Sequence, residues 1–464
     1  MKYARQCSRS RKGFALVLAL ILLLLCATVA VAWVNTTAVG VSQADSFSKV
    51  NGAQLAAESG MQYMVHEVSK LSISGGSSGQ SLMDNLAAAL AARLDGTSTL
   101  GGGSITYNGT TITTPAIGVG DGDRTFTATM SMPDSDRVSL VVTGVNAGIR
   151  RRLGVEFQAK PGSSAIFDFG IASRSPVELT GNASVQGKNN VLEARILSAT
   201  DEVEAFDLTG NVDLEGDIYT TNPSSSVSMS GNVTIGGESC RDPEVWDHVH
   251  MGLGDCEFPE VDPTVFEPFA TNIVDSHTST SGNKTFTNIR IKAGTNPTFS
   301  GNMTLKGVIF IEAPNKVHFS GNTTFTGVIV TEDAGDDVYE ENTVKFTGNV
   351  SVQGVETLPD TAEFHALRQM PGAFILAPGF GLQFTGNFGT VSGCMAADCF
   401  QFTGNAGGTV RGGIINYSDS RFKLTGNSRV IIDRDGTPET PPGFTTSLLL
   451  EISPGTYVEY AVGS

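Results

Sequence analysis

Phe319-Ser-Gly-Asn-Thr-Thr-Phe-Thr-Gly-Val-Ile-Val330 is the stretch that decides the fold. An apolar residue runs into Ser-Gly-Asn, a group suited to a sharp corner because Gly, and often Asn, can adopt the left-handed conformation. A short alternating segment follows, then a second glycine and an apolar run. The word reads strand, corner, strand, turn, strand. Thr/Ser-Gly-Asn occurs ten times, with glycines at 181, 210, 231, 282, 301, 321, 348, 386, 404 and 426. Nine copies follow an apolar residue: Leu179, Leu208, Met229, Phe299, Phe319, Phe346, Phe384, Phe402 and Leu424.

The closest-spaced copies, such as 282, 301 and 321, set a unit of about 20 residues. Longer intervals hold insertions at about 237–281, 331–342 and 355–381. A β-unit of this size cannot bury its own face and must stack on copies of itself, which predicts a parallel β-solenoid over 161–464. Phe299, Phe319, Phe346, Phe384 and Phe402 should form an internal column, with the Asn side chains hydrogen-bonding between neighbouring coils. A β-propeller needs blades of about 40–50 residues and is disfavoured.

At the other end of the chain, residues 1–13 hold Lys2, Arg5, Arg9, Arg11 and Lys12 and no acid. Phe14 to Val34 then runs without a charge or a proline, and its 21 residues make a helix of about 30 Å, enough to span a bilayer's hydrocarbon core. The basic flank should remain cytoplasmic and send the rest of the chain across. A cleaved secretory signal is the alternative, with Ala30-Val31-Ala32 imitating its cleavage site. Against it, the chain continues without proline to Leu71, with Leu55, Met61, Met64, Val65 and Val68 as one apolar stripe of an amphipathic helix.

The words Arg11-Lys12-Gly13-Phe14-Ala15-Leu16-Val17 and Ala56-Ala57-Glu58-Ser59-Gly60-Met61 resemble the type IV pilin superfamily, most of all its PilX-type minor pilins and the tip pseudopilins of type II secretion. The resemblance covers about residues 1–70. It implies a leader, 1–13, cut between Gly13 and Phe14 by a prepilin peptidase, and a transmembrane and amphipathic helix over 14–70. It further implies a single-pass bacterial inner-membrane protein with its C-terminal part exported, and partners among other pilin or pseudopilin subunits and the inner-membrane assembly platform. Major pilins carry Glu at the fifth mature position. Here that position is Leu18, which matches the PilX-type and tip proteins.

Residues 71–160 read as a small α+β head. Leu82, Leu86, Leu90 and Leu94 mark a helix, and short strands punctuated by Gly, Asn and Asp follow from Ser104. Arg150-Arg151-Arg152 reads as a solvated strand end or a docking patch. The formal charge of −17 disfavours nucleic acid as a partner. In an oxidising compartment Cys240, Cys256, Cys394 and Cys399 could pair three ways, and 240–256 with 394–399 closes the smallest loops. Cys240, Cys256, His248 and His250 could instead hold zinc, although the usual ligand spacings are missing.

No metal site and no cofactor is expected. The acidic loop Glu332–Glu341 lacks a calcium pattern, and no Gly-x-Ser-x-Gly, His-Glu-x-x-His or phosphate loop occurs. The expectation is a non-enzymatic minor-pilin or tip subunit that displays or spaces a β-helix, binding surface glycans or other cells. The alternative is a membrane-anchored extracellular β-helix enzyme, a polysaccharide lyase or hydrolase. Carboxylates clustered on adjacent coils would favour the enzyme, and a plain Ser/Thr/Asn face the structural subunit.

Overall fold

The computed structural model describes residues 12–460 except 74, 76–77, 121–122, 163, 255 and 336–338. Mainly β, with one long N-terminal helix, the chain divides into two units: 1–73 with 77–160 and 448–464, and 161–447 with 74–76.

In the first unit, helix α1 (Lys12–Val68) runs unbroken for 57 residues, about 85 Å at the α-helical rise. From Leu16 to Phe47 its side chains are exposed. Its last third packs on strands Thr125–Asp134 and Arg137–Asn146. The buried face is Ala53, Ala56, Ala57, Met61, Met64 and Val68, whereas Leu55, expected in the stripe, is 51% exposed. The reason is close approach. Gly144 comes so near the helix that a Cβ there would stand 2.3 Å from Ala53 O, and one on Gly60 would meet the Phe126 ring at 2.5 Å. Small residues therefore outrank Leu at this contact.

The strands form an antiparallel sheet that continues Thr106–Tyr107, Thr111–Thr113, Thr125–Asp134, Arg137–Asn146, Ile149–Pro161. Alternate residues Phe126, Ala128 and Met130 face Val138, Leu140 and Val142 in one core with Leu82, Leu86, Leu90 and Leu94 of helix α2 (Gln80–Leu94). The chain's end returns to this sheet. Leu448–Ile452 neighbours Ile149–Pro161, and Val458–Tyr460 pairs with it antiparallel. The head thus takes residues the sequence reading assigned to the repeat. Arg150–Arg152 are the second to fourth residues of strand Ile149–Pro161, at its N-terminal end as expected, with Arg152 Cζ 4.9 Å from the Tyr460 ring centroid.

The second unit contains a 23-stranded sheet in which the repeats pair almost entirely parallel and in register. Gly210 sits opposite Gly181 and Gly231, and Asn322 opposite Asn302. At Gly301 φ is +102°, and a Cβ there would lie 2.5 Å from Gly282 O, so both backbone conformation and space require glycine. The inner faces are apolar. Phe299, Phe319, Phe346, Phe384 and Phe402 are all 0–1% exposed and stack at centroid distances of 5.0, 5.2, 4.7 and 5.0 Å. Leu424, Leu179 and Leu208 continue the same column.

The order of repeats in space is not their order in the chain. By corner glycine the row runs 282, 301, 321, 348, 386, 404, 426, 181, 210, 231. The last repeat docks on the first: Phe422–Gly426 pairs with Val177–Gly181, and Ile414–Asn416 with Ile171–Ser173. The insertion expected at 237–281 carries the chain from the Gly231 end of the row to the Gly282 end. Along the way Phe258 and Phe266 are buried, Tyr417 Oη donates to Pro259 O, and Val261 pairs with Phe444. The polypeptide enters and leaves the unit through the adjoining Gly181 and Gly426 repeats, where Gly162 N donates to Ser447 O at 2.7 Å. Neither terminal repeat of the row carries that connection. The insertion expected at 355–381 ends sooner, because strand Ala373–Phe384 already belongs to the sheet.

Candidate functional site

Four places carry chemistry beyond the core. The first is the exposed N-terminal part of α1. Gly13 and Phe14 stand at the start of the helix, and residues 1–11 of the expected leader lie outside the described residues. From Leu16 to Val34 the apolar side chains are uncovered, with Leu23 at 70% and Trp33 at 74% exposure. This is one helix long and apolar enough to cross a membrane.

The second is the outer corner of the repeats, a ladder of amides. Asn302 Nδ2 donates to Asn283 Oδ1, Asn322 to Asn302, and Asn349 to Asn322, at 3.1–3.2 Å. Beyond a break at Asn387, whose Oδ1 takes Gly389 N, the ladder resumes through Asn405, Asn427, Asn182, Asn211 and Asn232. Every amide donates in the same sense, and Arg241 caps the last free oxygen, on Asn232. Each bond contributes on the order of 1 kcal/mol. Asn182, Asn232, Asn302, Asn322 and Asn349, which also read as Asn-x-Ser/Thr triplets, are all spent in this ladder. The neighbouring outward positions are largely Ser and Thr.

The third is charged. Where the Gly426 repeat meets the Gly181 repeat, Asp433 is 3% exposed and binds Lys188 Nζ at 2.7 Å, Asn189 Nδ2 at 3.0 Å and Arg411 Nε at 3.4 Å. Beside it Glu193, 6% exposed, accepts from Asn189 N, Asn189 Nδ2 and Arg434 N. Burial raises the pKa of both carboxyls, but these bonds outweigh it and hold both below the ordinary range. Two carboxylates therefore do lie on adjoining repeats. Their oxygens are taken up in holding the repeats together.

At the Gly231 end, Asp217 stands between two imidazoles, with His248 Nδ1 2.8 Å from Oδ1 and His250 Nε2 2.9 Å from Oδ2. Burial pushes the Asp217 carboxyl up, and the hydrogen bonds and charge of the two histidines more than offset this. His248 and His250, read from sequence as possible zinc ligands with Cys240 and Cys256, instead share a carboxylate that is 31 residues upstream of His248. Nothing in the spacing pointed to Asp217. No group of three or more His, Cys, Asp or Glu side chains able to hold a metal ion occurs among the described residues.

Of the candidate disulfide cysteines, Cys240, Cys394 and Cys399 are free thiols. Cys394 and Cys399 are buried in one extended strand, Cys394–Phe402, and five residues of strand separate their Cα atoms by more than the roughly 7 Å a disulfide tolerates. Burial pushes the Cys394 thiol up to about 12, so it stays protonated. Cys240 Sγ faces Gly231 O and Cys256 Sγ faces Gly254 O, so the expected 240–256 bond is absent as well. In the acidic loop, Glu332 accepts from Ala313 N and Asp333 from Gly335 N, while 336–338 lie outside the described residues.

No protein-family model matches this chain, and no curated protein does. Among solved structures, the competence-associated pilin ComZ from Thermus thermophilus aligns over 89% of this chain and 97% of its own, at 11% identity and a TM-score of 0.30. At that TM-score the likeness assigns neither fold nor function.

Proposed function

We propose that this chain is a non-enzymatic pilin-type subunit, a minor pilin or tip pseudopilin, anchored in the bacterial inner membrane through 14–34 and displaying the second unit, as a parallel β-solenoid, on the exported side. One observation carries the reading: a single helix is apolar and uncovered through its first half and packs its last third under a small antiparallel sheet. That is a helix built to lie in lipid, or among other such helices, while holding a folded head. The leader with Gly13 and Phe14, and Leu18 at the fifth mature position, agree with it.

The solenoid reading is supported by parallel in-register pairing, the stacked phenylalanines and the amide ladder. The connections leave from the interior of the row, which favours display over axial spacing: both terminal repeats are left unattached. The enzyme alternative loses its main support because Glu193 and Asp433 have their oxygens occupied. Partners on this reading are a prepilin peptidase, other pilin-like subunits and their assembly platform, with a glycan or cell surface as the displayed unit's target.

Mass spectrometry of the mature N-terminus in purified surface filaments tests this. Phe14 as first residue is expected. A terminus after Ala30 or Ala32 identifies a secretory signal and removes the pilin reading. Reproducible cleavage of a defined polysaccharide by the purified protein, abolished by one Asp or Glu substitution, overturns the non-enzymatic reading.

A further inference from the structure

Beside the buried pair Glu193 and Asp433, an open groove of about 830 Å³ runs between the 3-10 turn Val191–Ala194 and the segment 434–439. Sites of this size take small organic molecules, but most of them are lined by apolar side chains. Here the apolar part of the lining is Leu192 and Pro438, and the rest is polar or charged.

Both banks are fixed by bonds already in place. Asn190 caps the turn, its Oδ1 accepting from Leu192 N at 3.0 Å, and Gly187 passes so near that a Cβ there would collide with Asn190 O. Opposite, Arg434 N donates to Glu193 Oε1 at 3.1 Å and the Arg434 guanidinium donates to Phe167 O. Thr437 Oγ1 donates back to Arg434 O at 2.9 Å. A ligand meets a preformed surface, so little ordering opposes binding.

Several polar groups of the lining are unengaged. Arg195, which ends the turn, makes no ion pair and no side-chain hydrogen bond among the described residues. Its Nε is buried and unsatisfied, and its Cζ lies 5.8 Å from the Tyr219 ring centroid. Asp168, Asp435 and Glu439 are exposed and form no ion pair among the described residues. Unpaired donors and unpaired acceptors therefore share one groove.

We propose that this groove binds a neutral saccharide. Every sugar hydroxyl both donates and accepts, and a vicinal pair suits two-pronged partners. The planar Arg195 fork donates to two oxygens, while a carboxylate such as Asp435 accepts from two O–H groups. The C–H face of the ring has Leu192 and Pro438 to cover. An anion is disfavoured, because four carboxylates of the lining, Asp168, Glu193, Asp435 and Glu439, outnumber the guanidiniums of Arg195 and Arg434. A site on the second unit for a displayed glycan target follows, and it rests on the function proposed above for where the groove is presented.

Isothermal titration of the purified full chain, in a detergent without a sugar headgroup, tests this. Cellotetraose, maltotetraose, mannotetraose and N-acetylchitotetraose are the neutral probes, and tetragalacturonate is the anionic one. At least one neutral probe should bind with a Kd of about 10 mM or tighter, and screening by salt should leave that affinity within about twofold. Arg195→Met removes the guanidinium, and Arg195→Lys keeps the charge over Tyr219 but loses the fork. Each should weaken binding by more than about tenfold. Hydrogen exchange at peptides from Glu204–Leu214 shows that each variant remains folded. Three results overturn the groove: no neutral probe bound at about 10 mM, tetragalacturonate bound more tightly than every neutral probe, or an affinity that either folded variant leaves within about tenfold. The mature N-terminus is measured separately. Phe14 as first residue without saccharide binding overturns the groove alone, and a terminus after Ala30 or Ala32 with binding overturns the pilin reading alone.

Discussion

Replacing Phe346 separates stacking from simple filling of space. The ring lies between Phe319 at 5.2 Å and Phe384 at 4.7 Å, nearly parallel to both, with Phe325 edge-on at 6.2 Å. Phe346→Ala removes a fully buried ring and leaves a cavity between two rigid neighbours, a change that costs about 3–5 kcal/mol. Phe346→Leu keeps most of the volume, and leucines occupy this very column at 424, 179 and 208. The main loss is the aromatic contacts, at about 0.5–1.5 kcal/mol each, with a small loss of volume and some recovery by repacking, so about 1–2 kcal/mol is expected. Because two units make a single global transition uninformative, the assay is hydrogen exchange at peptides from 302–331 and 373–402. Alanine should lower protection by roughly two to four powers of ten and leucine by about one. Equal losses for the two variants, or less than a tenfold loss for alanine, would refute the column as the element that holds the repeats in register.

Two further expectations use the same readout. Gly301→Ala adds a Cβ 2.5 Å from Gly282 O as well as straining the backbone, whereas Gly282→Ala, at the end of the row, strains the backbone alone because nothing lies within 4 Å. The first should therefore destabilise the unit by at least about 1 kcal/mol more than the second. Glu193 and Asp433 have depressed pKa values in the folded state, so their contribution is complete above their unfolded values and is lost as pH falls through the lower folded ones. Protection of 171–187 and 414–433 should accordingly be flat above about pH 5 and decline below about pH 4. Asp433→Ala, which strands Lys188, Arg411 and Asn189, should remove about 2–3 kcal/mol there and weaken the acid dependence.

The repeat was legible because its corner demands unusual residues: glycine where φ is positive and another backbone passes within 3 Å, and asparagine where amides stack. The order of the repeats was not legible. Each unit offers nearly the same edge to any other, so local pattern cannot choose between the Gly181 repeat and some other neighbour for the Gly426 repeat. The junction carries aperiodic contacts that the repeat pattern does not encode, Lys423 with Glu178 and Lys188 with Asp433, and Arg421 reaches Glu204 of the repeat beyond. The helix was legible as far as its length. Its buried face was misjudged at Leu55, since apolar spacing counts side-chain size and close approach to Gly144 favours the lack of it. The histidines at 248 and 250 stood out, but their partner was a single aspartate in an unremarked turn. Sequence proximity of the cysteines was a poor guide, because an extended strand holds near neighbours apart.

The way the second unit is spliced into the first has a consequence for how such a protein can be rebuilt. Ile149–Pro161 and Leu448–Ile452 are adjacent strands of the head sheet, and the unit between them begins and ends at the bonded pair Gly162 and Ser447. Cutting there and closing the gap with a short turn leaves the two neighbouring strands joined directly within the first unit. The expectation is a cassette: replacing 162–447 with another folded domain whose ends lie as close should leave the pairing within the first unit intact.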